Sequence, residues 1–188
     1  MAKVGIVYFT KTDITGELVK AAMSGIKSSG AEAYSYKING PEIVEGRFTQ
    51  LAVFQDLKDC DAIIFASPTY MGGVSAQFKA FADATSRFWE SQEWAGKIAA
   101  GITSGSGLNG DQSSTLQYFS VLASQHGMYW VGIDSAPSLE QNTLNRLGCQ
   151  LGVVAQSGGR EVNSVDIETA KYLGARVSKI ALKLCKLI

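Results

Sequence analysis

Three threonines follow the first apolar segment of the chain. That segment spans residues 4–9, and Thr10, Thr12 and Thr15 come directly after it, where a helical pattern begins. The first backbone N–H groups of a helix have no carbonyl partner, and the helix dipole is positive at that end. Threonine hydroxyls beside such amides can hold a phosphate without a metal or an arginine. A second interpretation stays open, in which Thr12, Asp13 or Thr15 only caps the helix.

A second loop, Ser67–Ser75, follows the third apolar segment and has the sequence SPTYMGGVS. Pro68 fixes one backbone angle and lacks an N–H, while Gly72 and Gly73 permit a close approach to the backbone. Such a loop can present its amides to the edge of a flat heterocycle. The alternative is an ordinary turn between a strand and a helix.

A third loop, Thr103–Gly110, contains a literal G-x-G-x-x-G between Gly105 and Gly110. It stands between a predicted strand and a predicted helix, and Asp134 lies where a dinucleotide-binding fingerprint has its ribose-binding acid. Two observations oppose that interpretation. Asp111 places a carboxylate at the helix N-terminus that the pyrophosphate needs, and the remaining chain is too short for the rest of a dinucleotide site.

The only histidine, His126, lies in a part of the chain that is rich in aromatic residues. Trp89 ends the helix after the second loop, where it could wall a ligand pocket by stacking. Aromatic residues at helix ends are also common core or subunit contacts, and a lone histidine near a helix C-terminus is commonly a structural cap. The aromatic residues are Phe88, Trp89, Trp94, Tyr129 and Trp130.

Side-chain order and spacing indicate neither a nucleophile–His–Asp arrangement nor a metal site, so a cofactor is expected to supply the chemistry. Seventeen basic and seventeen acidic residues cancel, which does not favour nucleic acid or a membrane surface as a partner. No apolar stretch approaches the roughly 20 residues of a membrane span, and the chain opens on a strand rather than a signal peptide. Three widely spaced cysteines fit a reduced compartment, so a cytoplasmic location is expected.

Strand-length and helix-length apolar patterns alternate along the chain. This alternation predicts a parallel sheet covered by helices on both faces, and hence a single doubly wound α/β domain over residues 1–188. A polar stretch, Asp134–Gly148, is interpreted as an insertion that splits the last strand from a further short one within Gln150–Ser157. The predicted strands are Lys3–Phe9, Ala31–Lys37, Ala62–Ala66, Lys97–Ile102 and Met128–Ile133, and the predicted helices are Thr15–Ser29, Phe48–Leu57, Val74–Phe88, Gln112–His126 and Ser164–Leu187.

In open parallel sheets, ligands bind beyond the carboxyl ends of the strands, which is where all three loops lie. Together these loops resemble the flavin mononucleotide (FMN) site of the flavodoxin-like superfamily. Residues 10–15, TKTDIT, match the T/S-x-T-G-x-T-like phosphate loop of that superfamily, with Asp13 in place of the usual glycine.

Within the superfamily, the chain resembles the WrbA-like NAD(P)H:quinone oxidoreductases. The segments MAKVGIVYFT, SPTYMGGVSAQFKAFADATSRFW, TSGSGLNGDQSST and LASQHGM carry this similarity, and in the last of them His126 aligns with an active-site histidine. Tyr70, Met71 and Gly73 depart from the arginine, phenylalanine and asparagine common in the family. The segment Gly40–Leu57 is shorter than the usual loop.

The resemblance implies a five-stranded parallel sheet in the order 2-1-3-4-5 and a homo-oligomer, dimer or tetramer, in which neighbouring subunits complete each pocket. Trp89 and His126 would act as catalytic residues, lining the space where nicotinamide and quinone bind in turn. The residues expected to bind FMN are Thr10, Thr12, Asp13, Ile14 and Thr15 in the phosphate loop, Pro68, Thr69, Tyr70, Met71, Gly72 and Gly73 around the isoalloxazine, and Thr103, Ser104, Gly105, Ser106 and Gly107 at the ring edge and ribityl chain.

The implied function is an FMN-dependent oxidoreductase that passes electrons from NAD(P)H to quinones or similar flat acceptors by ping-pong hydride exchange. A different class stays open, namely a flavodoxin-type electron carrier or regulatory flavoprotein that turns over no small substrate. The zero net charge argues against a carrier, because such carriers are usually strongly acidic. A flavodoxin-like domain that has lost FMN is a third interpretation, suggested by Asp13.

Overall fold

The computed structural model describes residues 1–136, 144–158 and 161–186. The strands are β1 (Lys3–Tyr8), β2 (Glu32–Lys37), β3 (Ile43–Val44), β4 (Arg47–Phe48), β5 (Ala62–Tyr70), β6 (Gly73–Val74), β7 (Ile98–Gly105), β8 (Tyr129–Trp130) and β9 (Val153–Gln156). The α-helices are α1 (Ile14–Ser28), α2 (Ala52–Lys58), α3 (Ala76–Ala84), α4 (Gln112–Gln125) and α5 (Ser164–Leu184), and Gly40–Glu42 and Thr85–Phe88 form 3-10 turns.

The central sheet has the strand order β2-β1-β5-β7-β8, and β9 also pairs with β7. All of these pairings are parallel, which confirms the predicted doubly wound α/β fold with its 2-1-3-4-5 order. The predicted number of strands needs a correction, because the sheet contains seven strands rather than five. Two short strands share the fifth position, and β6 adds an antiparallel hairpin to β5.

The fifth position is split because the chain leaves the sheet and returns to it. β8 pairs with the start of β7, at Ile98 and Ala99, while β9 pairs with the end of β7. The Ile133 N–H donates to the Gln150 carbonyl at 2.7 Å, which closes the base of the intervening segment. The predicted strand Met128–Ile133 is therefore shorter, and the predicted insertion follows it; residues 137–143 of that insertion lie outside the described residues.

The third predicted strand extends further than expected and takes in half of the second loop. β5 continues through Pro68, which pairs with Ser104 of β7, and then turns back into β6. The β1 ladder ends where Tyr8 pairs with Ala66, so Pro68 needs no N–H on that side. Met71, with φ 48°, and the glycine after it form the tight turn of this β5–β6 hairpin.

Two layers of helices cover the sheet. Helices α1 and α5 bury one face, whereas α2, α3 and α4 bury the other. The α1 and α5 backbones approach closely, because a Cβ on Gly174 would lie 2.1 Å from the Ala22 carbonyl oxygen. The predicted helix Phe48–Leu57 is wrong in its first part, since Phe48 ends the β3–β4 hairpin and fills the core from there. None of the helices in the described ranges is long and apolar enough to cross a membrane.

Candidate functional site

Side-chain hydrogen bonds join the three loops at the carboxyl edge of the sheet. Thr15 Oγ1 and Ser104 Oγ lie 2.9 Å apart, which joins the first loop to the third. Thr69 Oγ1 lies 2.8 Å from Thr103 Oγ1, which joins the second loop to the third. The structure therefore brings together the three loops that the sequence singled out.

The first loop offers backbone donors without acceptors. Helix α1 begins at Ile14, and no hydrogen bond among the described residues is donated by the backbone N–H groups of residues 10–16. Thr10 and Thr15 are buried beside these amides, and Thr12 is exposed. Free donors at the positive end of a helix of 15 residues have the properties of an anion site.

Asp13 adopts a left-handed backbone conformation, which glycine enters most easily. Its φ of 66° lies in the left-handed region, which aspartate enters more readily than most residues. The side chain makes no capping hydrogen bond to α1, and its carboxylate lies 3.6 Å from the Lys20 ammonium group. Burial and the Asp13 charge together raise the pKa of Tyr8. A negative charge thus stands at the anion site, partly balanced by Lys20.

A cleft of about 660 Å³ separates the second loop from the third. This volume suits a small-molecule ligand. The glycines leave the cleft open, because a Cβ on Gly72 or Gly107 would meet no atom within 4 Å. The cleft is lined by the predicted residues Thr69, Met71, Gly72, Gly105, Ser106 and Gly107, and also by Leu108, Asn109, Gly110, Asp111 and Gln112.

Several predicted site residues are buried, and their hydrogen bonds hold the loops in place. Thr103 is fully buried and donates its hydroxyl hydrogen to the Ser67 carbonyl at 2.8 Å. The Thr69 hydroxyl lies 2.8 Å from two other hydroxyls, those of Thr103 and Thr115. Pro68 is buried within β5, and Ser104 is buried against Thr15. These side chains position the loop backbones that form the cleft.

The structure does not bring Trp89 and His126 to the cleft. They follow α3 and α4, which run back to the amino edge of the sheet, and there Gly96 of the preceding segment donates to the Gly127 carbonyl at 3.0 Å. The three loops lie at the opposite edge. Because β5 contains nine residues, about 25 Å separates the two edges. Within one chain, neither side chain can reach a ligand in the cleft.

His126 is enclosed where it lies. It is 1% exposed, its Nε2 is 2.8 Å from Thr85 Oγ1, and its ring centroid lies 4.8 Å from that of Trp94. Burial lowers the pKa of this imidazole, so the neutral form is favoured. Trp89, in contrast, is 51% exposed. Of the two predicted catalytic residues, only Trp89 presents a surface that another molecule can contact.

Sequence reasoning missed two amide side chains of the cleft, Asn109 and Gln112. Gln112 is 2% exposed although it starts a helix directly after a glycine-rich loop. One signal was present in the sequence, because Gln112 precedes the buried Thr115 and Leu116 by three and four residues and so shares their face of α4. A polar residue on a buried helical face indicates a specific hydrogen-bonding role.

The dinucleotide-binding interpretation of the third loop also fails on geometry. That loop follows β7, the fourth strand position, and Asp134 is engaged elsewhere. The Asp134 carboxylate accepts hydrogen bonds from Tyr172, at 2.7 Å, and from Arg176, and these contacts lower its pKa. In residues 1–136, 144–158 and 161–186, no three His, Cys, Asp or Glu side chains gather as metal ligands would.

Comparison with known proteins decides the family. The sequence profile of NADPH-dependent FMN reductases matches residues 12–140. The chain belongs to this family. Flavodoxin FldP of Pseudomonas aeruginosa is 36% identical to this FMN reductase family member over 192 residues, which cover 98% of this chain and 99% of that protein. A protein of Archaeoglobus fulgidus named NAD(P)H dehydrogenase (quinone) is 31% identical over 201 residues, which cover 98% of this chain and 100% of that protein.

A solved structure extends the similarity to three dimensions. The flavodoxin, WrbA-like protein from Agrobacterium tumefaciens superposes with a TM-score of 0.78 at 35% identity, covering 97% of this chain and 99% of that one. The resemblance to the WrbA-like, flavodoxin-like proteins is thereby confirmed. The predicted class is confirmed as well: this family member is an FMN-dependent oxidoreductase that uses NAD(P)H as its electron donor.

The residues of the site fit FMN. The unpartnered amides of residues 10–16 match a phosphate group, and the open cleft beside Gly72 and Gly107 admits a flat ring. Asp13 is an unfavourable group for a phosphate, because its carboxylate stands at the start of α1, where Lys20 lies 3.6 Å away. The free amides and the open cleft therefore argue against the interpretation that FMN has been lost.

We predict that removing the Asp13 charge strengthens FMN binding. Asp13→Asn keeps the left-handed tolerance and removes the carboxylate, and it is expected to lower the FMN dissociation constant about tenfold at low salt. Riboflavin, which lacks the phosphate, serves as the control ligand, and its affinity is expected to stay unchanged. Flavin fluorescence quenching measures both constants, and the gain should shrink as salt is added. Weaker FMN binding by Asp13→Asn contradicts this account.

Proposed function

We propose that this protein binds FMN at the carboxyl edge of its sheet and transfers electrons from NAD(P)H to quinones or similar flat acceptors, donor and acceptor binding in turn. The convergence of three loops around free amides and an open cleft carries this proposal. When bound, FMN supplies the hydride chemistry, which the protein side chains themselves lack. Related proteins with quinone in their names, such as that of Archaeoglobus fulgidus, support the choice of acceptor.

In this proposal each loop has a separate task. The amides of residues 10–16, with Thr10, Thr12 and Thr15, hold the phosphate. The β5–β6 hairpin, with Tyr70, Met71 and Gly73, frames the ring on one side. The backbone of residues 104–107 lies along the opposite side of the cleft. The hydroxyl network of the preceding strands fixes these loops before the cofactor binds, so little ordering entropy is lost on binding.

We further propose that a homo-oligomer completes the pocket and that the protein works in the cytoplasm. Trp89 is the candidate for contact across subunits, since it is half exposed and follows α3 at the edge of the sheet opposite the cleft. His126 would shape that surface through Thr85 and Trp94 rather than touch a substrate. Free cysteines at positions 60, 149 and 185 agree with a reducing compartment.

A second candidate function is electron carriage without turnover of a small substrate. The 36% identity to a Pseudomonas aeruginosa protein named flavodoxin favours it. Against it stands the zero net charge, which gives no long-range field to steer the protein onto a basic partner.

Anaerobic titration separates the two candidates. The FMN-loaded protein is mixed with NADH or NADPH, and the visible absorbance of the oxidised flavin is followed. A reductase is expected to bleach within seconds and to recover its colour when a quinone is added, with one quinone consumed per nicotinamide oxidised. Bound flavin that neither nucleotide reduces favours the carrier. Failure of the purified apoprotein to bind FMN overturns both candidates.

A further inference from the structure

We infer that the side chains of Met71 and Leu108 select electron acceptors that carry an apolar substituent, such as a quinone with an alkyl chain, over the same flat ring without one. This inference rests on the proposed function, because it concerns the acceptor that binds at the same cleft. Both side chains line that cleft, Met71 from the second loop and Leu108 from the third. Both are also accessible to a ligand, since Met71 is fully exposed and Leu108 is 62% exposed.

Leu108 interrupts a loop that is otherwise polar. Between Thr103 and Asp111 it is the only residue with an apolar side chain, and the other residues are glycine, serine, threonine, asparagine and aspartate. Leu108 packs into neither of the two core clusters of the described residues, so burial in the core does not explain its presence. A single exposed leucine is ordinary on a protein surface. This leucine, however, borders a cleft that an apolar residue of a second loop also borders.

Met71 occupies a turn position that does not favour methionine. Its φ of 48° and the φ of 77° at Gly72 are both left-handed, and asparagine followed by glycine adopts such a pair of angles most easily. The Met71 side chain packs into neither core cluster of the described residues. The geometry of the turn and the packing of the core therefore both leave this residue unexplained. A methionine side chain is flexible and apolar, which suits contact with substituents of different shape.

An uncharged alkyl group fits this pair of side chains better than a second protein or an anionic group. A stable protein interface buries about 800 Å² on each partner. The exposed apolar side chains around the cleft are only those of Met71, Leu108 and Tyr70, which expose less than that area. Within the described ranges, Asp111 is the only ionisable side chain that lines the cleft, and it would repel a carboxylate or a sulfonate. Contact with Met71 and Leu108 instead removes an alkyl group from water.

Equilibrium binding and turnover together test this inference. The probes are a naphthoquinone that carries a methyl group and the same ring with a pentyl chain instead, because the two alkyl groups affect the reduction potential almost equally. Calorimetry gives the dissociation constant of each quinone for the oxidised, FMN-loaded protein, and steady-state assays give kcat/KM. The wild type is expected to prefer the pentyl compound about tenfold, which corresponds to burial of roughly two methylene groups. The double variant Met71→Gln, Leu108→Gln should reduce this preference to about twofold.

Leu51→Gln is the matched control, because Leu51 is 41% exposed directly before α2 and is not among the described residues that line the cleft. It should keep the wild-type preference. The inference is overturned if the wild type does not distinguish the two quinones, or if the double variant keeps the preference while its affinity for FMN or its oligomeric mass falls. A wild-type protein whose bound flavin neither nicotinamide reduces refutes the proposed function instead. Calorimetry needs no turnover, so the two failures are distinct.

Discussion

The double variant Thr12→Val, Thr15→Val is expected to bind FMN about a hundredfold more weakly than the wild type. Each hydroxyl would donate to a charged phosphate, and hydrogen bonds to charged groups contribute about 1.5–3 kcal/mol. Two of them at the lower end of that range correspond to about a hundredfold in the dissociation constant. Valine has nearly the shape of threonine, so loss of the hydroxyls is the main change. Fluorescence quenching by the apoprotein measures the effect.

The hydrogen bond between Thr15 and Ser104 makes the choice of control ligand important. Thr15 Oγ1 lies 2.9 Å from Ser104 Oγ, and either oxygen can be the donor. When Ser104 donates, the Thr15 proton remains available to a phosphate. Riboflavin, without a phosphate, should lose little affinity for the double variant. An equal loss for FMN and riboflavin would show that Thr15 only ties the loops together, and an unchanged FMN affinity would refute the phosphate site.

Replacing Arg146 by methionine is expected to lower the free energy of unfolding by about 3 kcal/mol near neutral pH. Arg146 holds Asp166 with two hydrogen bonds of 2.8 Å, and the Asp166 side chain is only 2% exposed. The substitution leaves a carboxylate buried without its cation. Asp166 lies in the first turn of α5, where the helix dipole favours a negative charge, but this offsets only part of that cost. Urea denaturation measures the change.

The stability that Arg146→Met loses should be smaller at acidic pH than near neutral pH. Burial raises the pKa of the Asp166 carboxyl even with Arg146 beside it, and removing the cation raises it further. A raised pKa in the folded state means that folding is favoured at low pH and that this contribution disappears as the pH rises through the folded pKa. Arg146→Met should therefore lose less stability at about pH 4.5 than at about pH 7.5.

Arg176→Met provides the matched control, because Arg176 pairs with Asp134, whose side chain is 46% exposed. Water and Tyr172 continue to satisfy that carboxylate, so the expected loss is below about 1 kcal/mol. Equal losses for the two variants, or a loss for Arg146→Met that does not change with pH, would contradict the assignment of a buried charge at Asp166.

The strand order 2-1-3-4-5 was implied by the family resemblance, whereas the sequence by itself determined the alternation of strands and helices and indicated the threonine loop as a candidate anion site. Local features carry this information: apolar runs mark buried strands, and threonines at the start of a helix mark an anion site. The split of the last strand was also visible in the polar stretch Asp134–Gly148. The β3–β4 hairpin was missed because Phe48 satisfies a helical pattern as well as a strand pattern, and packing against the core decided between them.

Only the tertiary structure decided which side chains face the cleft. The family resemblance implied Thr103 and Ser104 as cofactor-binding residues. The structure shows that their hydroxyls are buried in contacts between loops and that Gln112 lines the cleft. The tertiary structure also places His126 and Trp89 at the edge of the sheet opposite the phosphate loop. The physical reason is that motifs specify residue types along the chain. The direction of a side chain, its burial and its hydrogen-bond partners depend on residues that are far apart in the sequence.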